Sequence, residues 1–238
     1  MVLEESILRQ RVHQVVSTLR GVLRFRFDRG PIADIDRFVE FVSTRSAYVA
    51  QTSLFGYLKT RMGREYVKIF KDDEFLPSIE KAKWEIYAAC LSDLAVHAVA
   101  IAGQGRPAGA VAGLARHCHE RSVRATFAGE FAEAMIEDVI AEFVRRSERT
   151  IWANAAIGAG AFSLSPVALA ESSPVSEEFR ELDREIVTNS IRLRWNDVRG
   201  QLRKRLDGQS IWREWELSAD GAGSTLQSPA GSPQAPAI

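Results

Sequence analysis

Phe41, Tyr48, Phe55 and Met62 recur every seven residues, flanked by Phe38, Val42, Val49 and Leu58. A return after seven residues is close to two helical turns, so these side chains share one side of one helix. A period of two would have sent them to both faces of a strand. The spacing predicts a helix from about Ile32 to Met62, capped by Gly63. Its apolar stripe is wide enough for the interior of a bundle. No stretch alternates apolar and polar residues between turn signals, and no repeat of fixed period occurs. The expected class is all-α.

Other helices follow from the same periodicity. Leu3 to about Phe25 sets Ile7, Leu8, Val12, Val15, Leu19, Val22 and Leu23 on one side. Asp28-Arg-Gly-Pro31 interrupts it. A short helix is expected around Glu65–Phe70, and a third long one from near Pro77 to Ala102. From Ile86 to Ala102 the only formally charged residue is Asp93, which fits a buried bundle helix better than a short membrane span. Further helices are expected over Ala108–Glu120 and Arg124–Arg146. Thr150–Ala170 carries no charge over twenty-one residues, but its glycines and Pro166 make it a poor span. It reads as a buried crossover, a broken helix or a loop touching a membrane. Ser173 as cap and Pro174 at the first position open a last long helix to about Leu206, whose apolar face shifts near Asn189. After Leu217 the Ala/Gly/Ser/Pro-rich composition predicts disorder. The whole is a multi-helix bundle with a long uncharged crossover segment and a disordered C-terminal tail, divided as 1–30, 31–217 and 218–238.

Composition narrows the function classes. The 31 Lys and Arg balance 31 Asp and Glu over 238 residues. Nucleic acid as main partner needs a concentrated basic excess, so it is not expected. Cys90 and Cys118 are too few for a disulfide framework, and no Cys-x-x-Cys occurs. The opening MVLEESILRQ lacks a basic-then-apolar signal pattern, so a cytoplasmic location is expected.

Candidate chemistry is sparse. Asp93 and His97, four apart on an apolar helix, could serve as orienting acid and general base. The plainer reading is a buried polar pair that satisfies itself. A nucleophile is not apparent: Gly-x-Ser-x-Gly is absent, and Ser78-x-x-Lys81 lacks its companion motifs. His117 and His119 concentrate metal-binding atoms, but alternate residues on a helix point about 200° apart. They read as a solvated helix end and no metal is expected. Glu130, Glu133 and Glu137 share a face without the Glu-x-x-His of carboxylate-bridged metal bundles. There is no Walker loop and no Gly-x-Gly-x-x-Gly, so no cofactor is expected.

Surfaces are more suggestive. In the first helix Arg9, His13, Arg20 and Arg24 fall in one wedge, and residues 1–30 carry six Arg against three acids. Such a helix can dock in a partner's groove or lie on an anionic membrane. Trp152 in the charge-free segment, and Trp212 and Trp215 before the tail, are candidate interface anchors. A partner protein is therefore expected, with an anionic membrane surface at the inner face of the inner membrane and self-association as further options.

The segments STRSAYVAQTSLFGYLKTRMG (Ser43–Gly63) and AKWEIYAACLSDLAVHAVA (Ala82–Ala100) resemble a group of uncharacterised alphaproteobacterial proteins that often carry an esterase label. The resemblance covers about a sixth of the chain. It implies an alphaproteobacterial helical protein and, by the label, hydrolysis. The residues themselves favour a non-enzymatic helical interaction or assembly protein. An esterase-like hydrolase using Asp93 and His97 with an unidentified serine is the alternative.

Overall fold

The computed structural model describes residues 30–63, 75–129 and 131–224, with side chains through 218. Among them are eight helices and no strand, in a multi-helix bundle. The expected helices over Leu3–Phe25 and Glu65–Phe70 lie outside the described residues.

Helix α1 (Ile35–Met62) starts where the Asp34 carboxylate accepts from the Arg37 amide at 2.7 Å, and it stops at Gly63 with φ 52°. The flanking residues Phe38, Val42, Val49 and Leu58 are fully buried, while Tyr48, Phe55 and Met62 are only half-buried. Phe41 is buried, so the seven-residue series starts in the core and drifts to the edge of the buried stripe from Tyr48 onward.

Helix α2 (Leu76–Ala102) is the central element, packing against α1 and most of the later helices. It alone among the described helices is long and apolar enough to cross a membrane, and 72% of that stretch is buried within the protein. A side chain at Gly103 would run into Val111 and Trp212, so glycine lets the chain turn tightly there.

Helix α3 (Ala108–Phe127) is longer than expected, and α4 (Glu133–Arg149) starts later than expected. Gly129, at φ 81°, separates them. Arg124 stitches across this break, binding Glu120, Glu133 and Glu137 at 2.6–2.9 Å. Two members of the expected acidic face, Glu133 and Glu137, are held by that guanidinium, and Glu130 lies outside the described residues.

The charge-free segment is a broken helix: α5 (Trp152–Ile157), a turn through Gly158 and Gly160, then α6 (Leu164–Ser172). Both pieces pack on α2. The last long helix, α7 (Glu177–Arg205), begins after Ser176, three residues beyond the expected cap at Ser173. Ser173 instead bonds back to the Leu169 carbonyl and finishes α6. A further helix, α8 (Gly208–Ser224), runs through the boundary expected at 217/218, so residues 218–224 are helical where disorder was expected. Residues 225–238, the rest of the expected tail, are outside the described residues. Ile32 bonds with Arg205 and Asp207, bringing the start of the described chain to the α7–α8 corner.

Candidate functional site

Asp93 gathers two backbone amides and one arginine on a single buried carboxylate. Its carboxylate is fully buried on α2 and faces the start of α6. Ser165 N donates to Oδ2 at 2.8 Å and Leu164 N to Oδ1 at 3.2 Å. No residue of the Phe-Ser-Leu-Ser sequence caps α6 with its own side chain. Asp93 supplies that acceptor from another helix, where a negative charge also complements the helix dipole. Arg146 of α4 approaches Asp93 Oδ1 at 2.8 Å, and also donates to Ser92 Oγ and the Ala161 carbonyl. Burial pushes the Asp93 carboxyl up, and Arg146 with the Ser165 and Leu164 donors pulls it back. Trp195 Nε1 completes the network by donating to Ser165 Oγ at 3.0 Å.

His97 lies one turn further along α2, but its partner is elsewhere. Its Nδ1 is 2.8 Å from the Ala155 carbonyl, which can only accept, so Nδ1 carries the proton. Nε2 is buried with no partner. Burial holds the imidazole down at about 4, so it is neutral near pH 7. The expected acid–imidazole contact is therefore replaced by two separate fastenings of the α5–α6 segment. Asp93 holds the start of α6 and His97 holds α5. A serine on His97 Nε2 is not found among the described residues, so the three groups of a triad are not assembled there.

Phe162 packs on His97 and on Trp195, each with ring centres 4.9 Å apart. On the outer side of that pair is a cleft of about 450 Å³ lined by Gly158, Phe162, Asn189, Arg192, Asn196 and Arg199, among others. Arg199 donates to the Ile157 carbonyl at 3.1 Å.

That cleft opens beside an exposed row on α7. Phe179, Leu182, Ile186, Asn189, Leu193 and Asn196 follow one another in alternating steps of three and four residues. This is the spacing of a coiled-coil seam. The four apolar members are 41%, 69%, 71% and 68% exposed. Val187, Ile191, Trp195, Val198 and Leu202 form the opposite, buried face of the same helix. The apolar shift near Asn189 therefore separates two surfaces: the later group enters the core and the earlier group faces out.

No protein-family model, curated protein or solved structure matches this chain.

The remaining expected site residues are dispersed. Trp212 is 2% exposed and packs at Gly103, so it is a core residue and not an interface anchor. Trp215 is half-buried, with its ring 5.1 Å from that of His117. Trp152 is half-buried against the core. His119 is buried and stacks on Phe143 at 3.9 Å, with burial holding it down at about 3. The two imidazoles thus serve different neighbours. Among the described residues no three His, Cys, Asp or Glu side chains come together as a metal site. Arg9, His13, Arg20 and Arg24 lie outside the described residues.

Sequence reasoning missed Arg146, Ser165 and the exposure of the outer face of α7. Arg146 offered no signal beyond its place near a helix end. The α7 row was legible as a second apolar side, and its continuous three–four spacing was the mark of a seam.

Proposed function

We propose that this chain is a non-enzymatic helical interaction protein whose docking surface is the outer seam of α7. The observation that carries the reading is four large apolar side chains left in solvent at heptad spacing on one helix. Isolated exposed apolar residues are ordinary, whereas a contiguous stripe is what helix-docking surfaces present. The buried polar groups support the same reading, because Asp93 and His97 are engaged by this protein's own backbone. Nothing comparable surrounds Trp212, which the core consumes.

A photo-crosslinking residue placed at Ile186 in cells tests this, with Lys81, 76% exposed on another helix, as control. Protein adducts are expected at Ile186 and not at Lys81. Absence of adducts at Leu182, Ile186 and Leu193 alike would remove the reading. So would flotation with anionic vesicles that is lost in Ile186→Glu, since the stripe would then be a membrane surface.

A further inference from the structure

The charges beside the α7 seam point to what covers it. With Phe179, Ile186 and Leu193 at a, and Leu182, Asn189 and Asn196 at d, the g positions are Glu178, Glu185, Arg192 and Arg199. That row is acid, acid, base, base. Among the described residues none of the four has an ion-pair partner within the chain. Such flanking charges set the identity and orientation of a partner helix.

Resting on the reading of α7 as a docking surface, we infer that its occupant is α7 of a second copy of this chain, packed antiparallel about a two-fold axis between Ile186 and Asn189. An a-to-d register then stacks Leu182 on Leu193 of the second copy, Ile186 on Asn189, and Phe179 on Asn196. The same register brings Glu185 to Arg192 of the second copy and Glu178 to Arg199. Two-fold symmetry repeats each contact, giving four ion pairs from one row. The e positions do not oppose this, because Asp183 is buried and bound by Arg61 of its own chain, and Asp197 falls opposite Ser176.

The parallel arrangement fails on the same residues. It would set Arg199 against Lys204, a like-charge pair on each side. It would also leave Glu178 and Glu185 facing no base, because Asp183 is buried and bound by Arg61 and position 190 is a serine; only Arg192 and Asp197 attract. Residues 1–29 are the competing occupant within the chain. Their charged residues are six Arg against three acids, a basic excess, whereas the α7 row is balanced at two acids and two bases. A second copy answers all four. Asn189 and Asn196 in a dimer seam cost stability and favour one register over its neighbours.

Sedimentation of the full chain at micromolar concentration tests the inference. A species of twice 26.5 kDa is expected. Glu185→Arg and Arg192→Glu should each weaken dimerisation about tenfold or more, because the symmetry doubles every repulsive pair. The double variant Glu185→Arg/Arg192→Glu should return close to the original affinity. Thermal unfolding checks that each variant keeps its fold, and exposed seam positions make that the expected result. A monomeric wild-type chain overturns the inference. So does a dimer indifferent to both single variants, or single variants that the double does not rescue. A monomer that still forms Ile186 adducts in cells would overturn self-pairing while leaving the docking surface in place.

Discussion

Arg146 Nη2 lies 2.8 Å from Asp93 Oδ1, joining α4 to α2 through an ion pair in which the carboxylate is fully buried and the arginine 14% exposed. Such a pair adds little net stability relative to an apolar substitute, but removing one member strands the other. Asp93→Ala should therefore cost about 3–5 kcal/mol, since it also uncaps α6. Arg146→Met should cost less, because the two amides of Leu164 and Ser165 still hold the carboxylate. The two changes together should fall short of the sum of the singles. Urea unfolding of the three variants measures this. An additive result would mean that the two side chains do not act as a unit.

The buried imidazoles set a pH window. His97 and His119 titrate at about 4 and about 3 in the folded protein, against about 6.5 when exposed. Below about 6.5 the unfolded chain takes up these protons and the folded chain does not, so unfolding gains protons as the pH drops. Their contribution is complete above that value and is lost progressively down to the folded values. For His97 alone the loss is on the order of 3 kcal/mol. The urea midpoint should fall between pH 6.5 and 4, and NMR should show both rings neutral at pH 6. A midpoint flat across that range would contradict the burial of both rings.

The fold was legible where one helix face faces one core. The stripe of α1, the apolar run of α2 and the inner face of α7 all satisfy that condition. Boundaries went astray where the deciding partner is distant in sequence. The start of α6 is held by Asp93, more than seventy residues away. The break between α3 and α4 rests on Gly129 and the Arg124 clamp, and the helical pattern of the sequence runs through it. The Asp93–His97 spacing correctly placed two polar groups on a buried helix. It could not show that each would turn to a different backbone partner, because both partners belong to a segment whose packing is not local. Trp212 was misread for the same reason: a tryptophan near a chain end looks like an anchor until Gly103 makes room for it.

Trp212 distinguishes packing from recognition. Its ring is buried at the α2–α3 turn, with Arg106 stacked over it at 5.5 Å. Trp212→Ala should destabilise the protein by about 3–5 kcal/mol as a large-to-small core change. Leu182→Ala, on an exposed face, should change monomer stability by no more than about 0.5 kcal/mol. Denaturation at a concentration low enough to exclude association compares the two. Equal costs would place Leu182 in the core.

Two glycines in one turn separate backbone strain from crowding. Gly158 and Gly160 have φ of 92° and 73°, so alanine is strained at either, by about 1–2 kcal/mol. At Gly160 nothing lies within 4 Å of an added methyl, so strain is the whole cost. At Gly158 the methyl would sit 2.6 Å from Arg199 Nη2, the atom that donates to the Ile157 carbonyl. A flexible guanidinium can move aside, so the added stability cost of Gly158→Ala over Gly160→Ala should be small. The displacement should instead appear in what Arg199 does. If Arg199 pairs with Glu178 across the α7 seam, Gly158→Ala weakens self-association and Gly160→Ala leaves it unchanged. Sedimentation of both variants, beside their thermal midpoints, reads the two effects separately. Identical association by the two would mean that the Ile157 carbonyl does not position the guanidinium for that contact.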